Sequence, residues 1–140
     1  MLRRVVVIAV VALAVSAPVA SAQQKVEKVP ITATSPADAQ EMFATYCAVC
    51  HGKDAKGNGP AAAALTKAPA DLTRISTRNK GTFPDTRVRR FIEGLDEVAA
   101  HGTRDMPMWG SLFRSLSTQN PDIAQLRIAA LANYLKTLQQ

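Results

Sequence analysis

The chain has 140 residues, 47% of them hydrophobic and 20% charged, with a formal net charge of +6. That length fits a single domain. No block of about five or more basic residues and no aromatic-interleaved basic stretch accompanies the charge, which argues against a nucleic-acid partner.

Residues 1–22 read as an export signal. Arg3 and Arg4 form a positive start, Val5 to Val15 is an unbroken apolar run, and Ala20-Ser21-Ala22 follows Pro18 as a small-residue cleavage site. The run is too short for a comfortable membrane span. The competing reading is an uncleaved anchor. Cleavage after Ala22 removes two arginines, so the net charge falls from +6 to +4 over the remaining 118 residues. A modestly basic surface suits docking to an acidic partner face, and equally an ordinary solvated surface. The expected compartment is the periplasm, with membrane contact only through partners.

Residues 23–35 are polar and without periodicity, and read as a flexible leader ahead of a domain at 36–140. Ser35-Pro36-Ala37-Asp38 predicts a helix start, with serine as cap, proline at the first helical position and an acid following. From there Ala39, Met42, Phe43, Tyr46, Cys47 and Cys50 share one helical face.

Cys47-Ala48-Val49-Cys50-His51 ends that helix and is one copy of the C-x-x-C-H pattern for covalent c-type haem attachment. Two thiols three residues apart lie on the same side of a helical turn and can reach the two vinyl groups of one porphyrin. His51 then offers an imidazole nitrogen to the iron from the proximal side. A thioredoxin-like dithiol needs a preceding strand, which is missing here. A zinc site needs four ligands at finger-like spacing, and the chain has only Cys47, Cys50, His51 and His101. Haem attachment uses both thiols, leaving no disulfide in an exported chain that would otherwise form one.

Gly57-Asn58-Gly59-Pro60 is a turn cluster, and 61–81 reads as loop with one short helical stretch around Ala61–Leu65. A second helix follows near Pro84, with Val88, Phe91, Ile92 and Leu95 as its apolar stripe and Gly94 as its stop. Arg87, Arg89 and Arg90 fall off the stripe as a solvated face. A last helix starts at Asn120-Pro121-Asp122, with Ile123, Leu126, Ala130, Leu131, Tyr134, Leu135 and Leu138 as its stripe. No strand pattern and no second attachment motif occurs. The expected fold is all-α, with four to five short helices around one haem.

Iron bound to His51 needs a sixth ligand, or an open position for chemistry. His101, Met106 and Met108 are the candidates, since Met42 rides the helix of the cysteines. Pro107 fixes its own φ and restricts Met106 to an extended conformation, which holds a sulfur at the iron with little entropy left to lose. Thioether sulfur favours ferrous iron. Met106 is therefore assigned as the ligand, Met108 to packing and His101 to the surface.

With these pieces in place the chain resembles the class I cytochromes c over about residues 37–138, in the subgroup with Met-Pro-x-Trp-Gly. The carrying residues are Phe43, Cys47 to Gly52, the Gly57–Pro60 turn, Pro69 to Thr73, Phe91-Ile92-x-Gly94, Met106-Pro107-x-Trp109-Gly110 and Tyr134-Leu135. The resemblance implies His51/Met106 ligation and a crossing of the first and last helices beside the haem, near Phe43 and Tyr134. It also implies a hydrogen bond from the His51 ring to the Pro60 carbonyl, and Trp109 close to a haem propionate. Ala39 departs from the glycine common at the crossing. The implied function is one-electron transfer between redox partner proteins, without enzymatic activity. Two alternatives stand beside it: a cytochrome subunit of a larger oxidoreductase, and a haem enzyme or gas sensor with an open sixth position. Lys53, Lys56, Lys67 and Lys80 are the basic groups expected around the docking face.

Overall fold

Asp38, rather than Ser35, caps the first helix. Its carboxylate accepts from the Glu41 N–H at 2.8 Å, while Ser35 closes a turn one step earlier, its carbonyl taking the Asp38 N–H. A charged acceptor three residues closer to the helix outcompetes the serine hydroxyl for the exposed first-turn donors. A computed structural model describes residues 31–96 and 106–140. The signal at 1–22, residues 23–30 of the leader, and His101 lie outside the described residues.

The end of the expected leader belongs to the folded unit, which runs Ile31–Gln140. Thr34 is buried. Its N–H and hydroxyl approach the Tyr46 hydroxyl oxygen, and that hydroxyl donates to the Thr32 carbonyl at 2.7 Å. The polar composition of 32–35 hid this, because its burial is satisfied by hydrogen bonds and not by apolar contact.

The described residues form helices joined by loops, with no strand among them. Helix α1 (Ala39–Met42) continues through a π-helical turn at Phe43–Cys47 into α2 (Ala48–His51). Single π turns inside helices concentrate at functional sites, and this one ends on the first cysteine of the motif. The loop after α2 then folds back on it. Gly57, Gly59 and Ala61 donate their N–H groups to the carbonyls of His51, Cys50 and Val49 at 2.7, 3.0 and 2.9 Å. The last carbonyls of a helix need such partners, and here the Gly57–Pro60 turn supplies them.

The 3-10 turn Ala62–Ala64 matches the short helical stretch expected there. A second 3-10 turn at Leu72–Arg74 and the one-turn helix α3 (Ile75–Arg78) were not legible, because β-branched Thr73, Ile75 and Thr77 give a weak helical signal. They are held from outside, Ser76 donating its N–H to the Gln139 side chain at 2.8 Å. Helix α4 (Asp85–Glu93) ends at Gly94 in the left-handed region, φ +86°. Val88 and Ile92 are buried as read, while Leu95 lies past the helix end and is 56% exposed.

Helix α5 (Trp109–Ser115) follows directly on the Met-Pro segment. Helix α6 (Asp122–Thr137) begins where Asn120 takes the Asp122 N–H on its side chain at 3.0 Å. Of its expected stripe, Leu131 and Leu135 are buried and Leu126 is 59% exposed; Ala124, Arg127, Ile128 and Ala132 are buried in addition. The buried face is thus rotated toward Ala124, Ile128 and Ala132. No described helix is long and apolar enough to cross a membrane.

The core lies where α1 and its π turn meet α5 and α6. The Phe43 and Tyr134 rings sit 5.5 Å apart, centroid to centroid, as expected of the crossing. Tyr46, Trp109 and Phe113 form a second aromatic group with centroids 5.6 to 6.0 Å apart. Phe113, Met42, Ile128 and Leu131 are essentially fully buried; each such side chain is worth about 1.5–3 kcal/mol of transfer free energy.

Candidate cofactor cavity

One side of this core remains open as a cavity of about 390 Å³. Its walls are mainly apolar, built by Phe43, Leu72, Ile75, Val88, Phe91, Ile92, Leu131 and Leu135, with Cys47, His51, Met106 and Trp109 among the remaining lining residues. The motif helix thus supplies a thiol and an imidazole, and the Met-Pro segment ahead of α5 supplies a thioether. Sequence positions 47–51 and 106–109 meet at one cavity.

Cys47 ends the π turn and faces the cavity, whereas Cys50 is half-buried on the next turn and is not among the lining side chains. No disulfide joins them. Burial pushes the Cys47 thiol up to about 12, and the neighbouring Cys50 adds to the shift. Cys47 thus sits in an apolar wall.

The His51 ring does not bond to Pro60. Its Nδ1 lies 3.0 Å from the carbonyl oxygen of Ala70, and Pro60 is exposed. The Pro60 segment is drawn instead against the backbone of α2, with Ala61 bonded to Val49. A carbonyl oxygen only accepts, so Nδ1 carries the proton and Nε2 keeps its lone pair. Burial lowers the His51 pKa, opposed by the bond to Ala70, which favours the neutral ring that ligation needs.

Met108, assigned to packing, is 48% exposed and lies outside the cavity lining. A Cβ at Gly94 would come within 2.8 Å of its Cβ and Cγ, so its side chain rests against the end of α4. Met106 and Met108 therefore diverge, the first lining the cavity and the second resting against Gly94.

Three polar residues of the cavity escaped the sequence reading: Arg78, Asn79 and Arg87. Arg87 is exposed, as a solvated face requires, but it stands four residues before Phe91, and both line the cavity. That spacing was available in the sequence. Arg78 and Asn79 arrive through the fold of α3, and no local pattern announces them. Arg78 is oriented by donating to the Asp71 carbonyl at 2.7 Å. The donor set fits a porphyrin: an apolar slot for the ring, sulfur and nitrogen ligands for iron, and two guanidinium groups for a pair of carboxylates. No group of three or more His, Cys, Asp or Glu suited to a bare metal ion occurs among the described residues.

Comparison with known families agrees with this geometry. A family model described as cytochrome c oxidase, cbb3-type, subunit III, matches residues 34–135. No curated protein and no solved structure matches the chain. The chain belongs to that family of c-type cytochrome domains, and covalently bound haem c is its cofactor.

Proposed function

We propose that the chain is an exported one-electron carrier whose haem is attached through Cys47 and Cys50 and ligated by His51 and Met106. The observation that carries this reading is the convergence of the His51 imidazole and the Met106 thioether on one apolar cavity. When bound, the haem supplies an iron that accepts and returns one electron. The chain's own residues do the rest. Ala70 fixes the His51 tautomer, Pro107 restrains Met106, and Arg78 and Arg87 would hold the propionates. With His51 and Met106 both on the iron, this reading needs no open position and no general base. Trp109 closes the wall on the Met106 side.

The test is spectroscopic. The oxidised protein should show an Fe–S charge-transfer band, and the reduced protein should not bind carbon monoxide strongly near neutral pH. Strong binding would favour the enzyme or sensor reading. Acid–acetone extraction should leave the haem on the protein, and release of the haem would overturn attachment through the cysteines.

The electron partners are redox proteins, proposed to dock acidic faces against the exposed Lys53, Lys56, Lys67 and Lys80. The family description names an oxidase subunit, and this favours a second version in which the domain works inside a larger complex. The chemistry is the same in both. Co-purification with an oxidase in mild detergent would support the complex, and a rate of electron transfer to a purified partner that falls with ionic strength would support the shuttle.

A further inference from the structure

Arg127 is the one charged residue in the buried class among the described residues, at 4% exposure. It stands on α6 and has no carboxylate partner among the described residues. Its Nη1 donates to the Thr34 hydroxyl at 3.0 Å and lies 3.5 Å from the Met42 sulfur; its Nη2 donates to the Thr34 carbonyl at 2.7 Å. The Phe113 ring centroid lies 5.9 Å from the guanidinium carbon, and Nε has no partner. Every contact is therefore to a neutral group.

That arrangement is costly. Burying a charge without a counter-charge is among the larger penalties in a protein interior, and neutral dipoles offset it only in part. A methionine would fill similar space without it. The guanidinium is a cation.

Its position gives that charge a target. Leu131 and Leu135, which line the cavity, stand one and two turns further along the same face of α6. Phe113, beneath the guanidinium, stacks on Trp109 at 6.0 Å, and Trp109 also lines the cavity. Met42 directly precedes Phe43, another wall residue. Between Arg127 and the cavity lie buried apolar and aromatic side chains, with no bulk water or salt to screen the field. On reduction the ferric iron takes one electron from a donor redox protein and becomes ferrous, and its charge falls by one. A fixed cation nearby favours the ferrous form.

We propose that Arg127 sets the reduction potential of the haem, its unpaired buried charge holding that potential above the value the same pocket would give with a neutral residue. The proposal rests on the electron-transfer reading. It assigns Arg127 no contact with the haem; the effect acts through space.

The test uses the holoprotein and the variants Arg127→Lys, Arg127→Gln and Arg127→Met, with midpoint potential, Fe–S band and denaturant unfolding read on each. Arg127→Met and Arg127→Gln should both lower the potential while keeping the band. Arg127→Lys should stay near the parent potential even where stability falls, since it keeps charge and loses the planar fork. A structural role alone predicts that the three shift together with stability. Unchanged potential in both neutral variants, or equal shifts in all three, would overturn the proposal, as would a set in which none retains haem. Absence of the band from the parent protein would instead count against Met106 ligation, whatever Arg127 does.

Discussion

The Nδ1 of His51 and the carbonyl oxygen of Ala70 lie 3.0 Å apart across 19 residues of sequence. Gly57 sets the distance between their two segments. Its N–H donates to the His51 carbonyl at 2.7 Å, and a Cβ on it would collide with the Pro69 carbonyl, next to Ala70. Its φ of +84° adds a second reason for glycine.

Gly57→Ala should therefore push the 69–70 segment away from His51. The left-handed backbone and the clash together should cost about 2–4 kcal/mol. Denaturant midpoints measure the stability loss. A raised midpoint potential would report the weakened imidazole, because the bond to Ala70 raises ligand basicity, and a less basic ligand stabilises ferric iron less.

The same logic applies on the methionine side, at the close approach of Gly94 and Met108. A Cβ on Gly94 would come within 3.2 Å of the Met108 Cα as well as its side chain, and the glycine sits at φ +86°. Gly94→Ala should cost about 2–4 kcal/mol and displace the segment carrying Met106. A weaker Fe–S band and faster carbon monoxide binding than in the parent protein would show it. Stability loss with an unchanged band would place the strain in α4 alone.

These relationships divide what the sequence could tell from what it could not. The attachment motif, the apolar face through Met42, Phe43 and Tyr46, the α4 stripe and the glycine stop at Gly94 are local patterns, and local patterns are what periodicity and capping chemistry record. The partner of His51 is a backbone carbonyl, which carries no side-chain signature at all. Arg78 reaches the cavity through a one-turn helix fastened from the C-terminus by Gln139, a tertiary tether. Arg127 breaks the hydrophobic pattern of α6, so its helix face reads as rotated by one position, and exposed Leu126 was counted as core. Thr34 was read as leader for the same reason: its burial is hydrogen-bonded and leaves no apolar trace.

Asp71 should make stability pH-dependent in acid. Its carboxylate accepts from the Thr73 hydroxyl at 2.6 Å and the Thr73 N–H at 2.9 Å. The hydroxyl bond leads, with further help from that N–H, Arg78 and Arg74, in holding its pKa below the ordinary 3.8. A depressed folded pKa contributes stability above the unfolded value and loses it as pH falls through the folded one. Asp71→Asn should thus be less stable than the parent near neutral pH, and the gap should close as pH drops below 3.8. Denaturant titrations at about pH 6 and about pH 3 measure it; a gap constant across that range would show that the amide caps as well as the carboxylate.

The last prediction separates the two methionines. Met106 lines the cavity, while Met108 is half-exposed against Gly94. Of the two, Met106 is the proposed iron ligand. Met106→Ala should abolish the Fe–S charge-transfer band, lower the potential and open the iron to carbon monoxide, because a soft neutral ligand that favours ferrous iron is lost. Met108→Leu is near in volume and should cost under about 1.5 kcal/mol while keeping the band. The spectra of the two variants decide the matter directly. Reversed outcomes would move the ligand to Met108 and leave the cytochrome reading intact. If the parent protein itself lacked the band, neither thioether would be the ligand, and His101→Ala would be the variant to examine next.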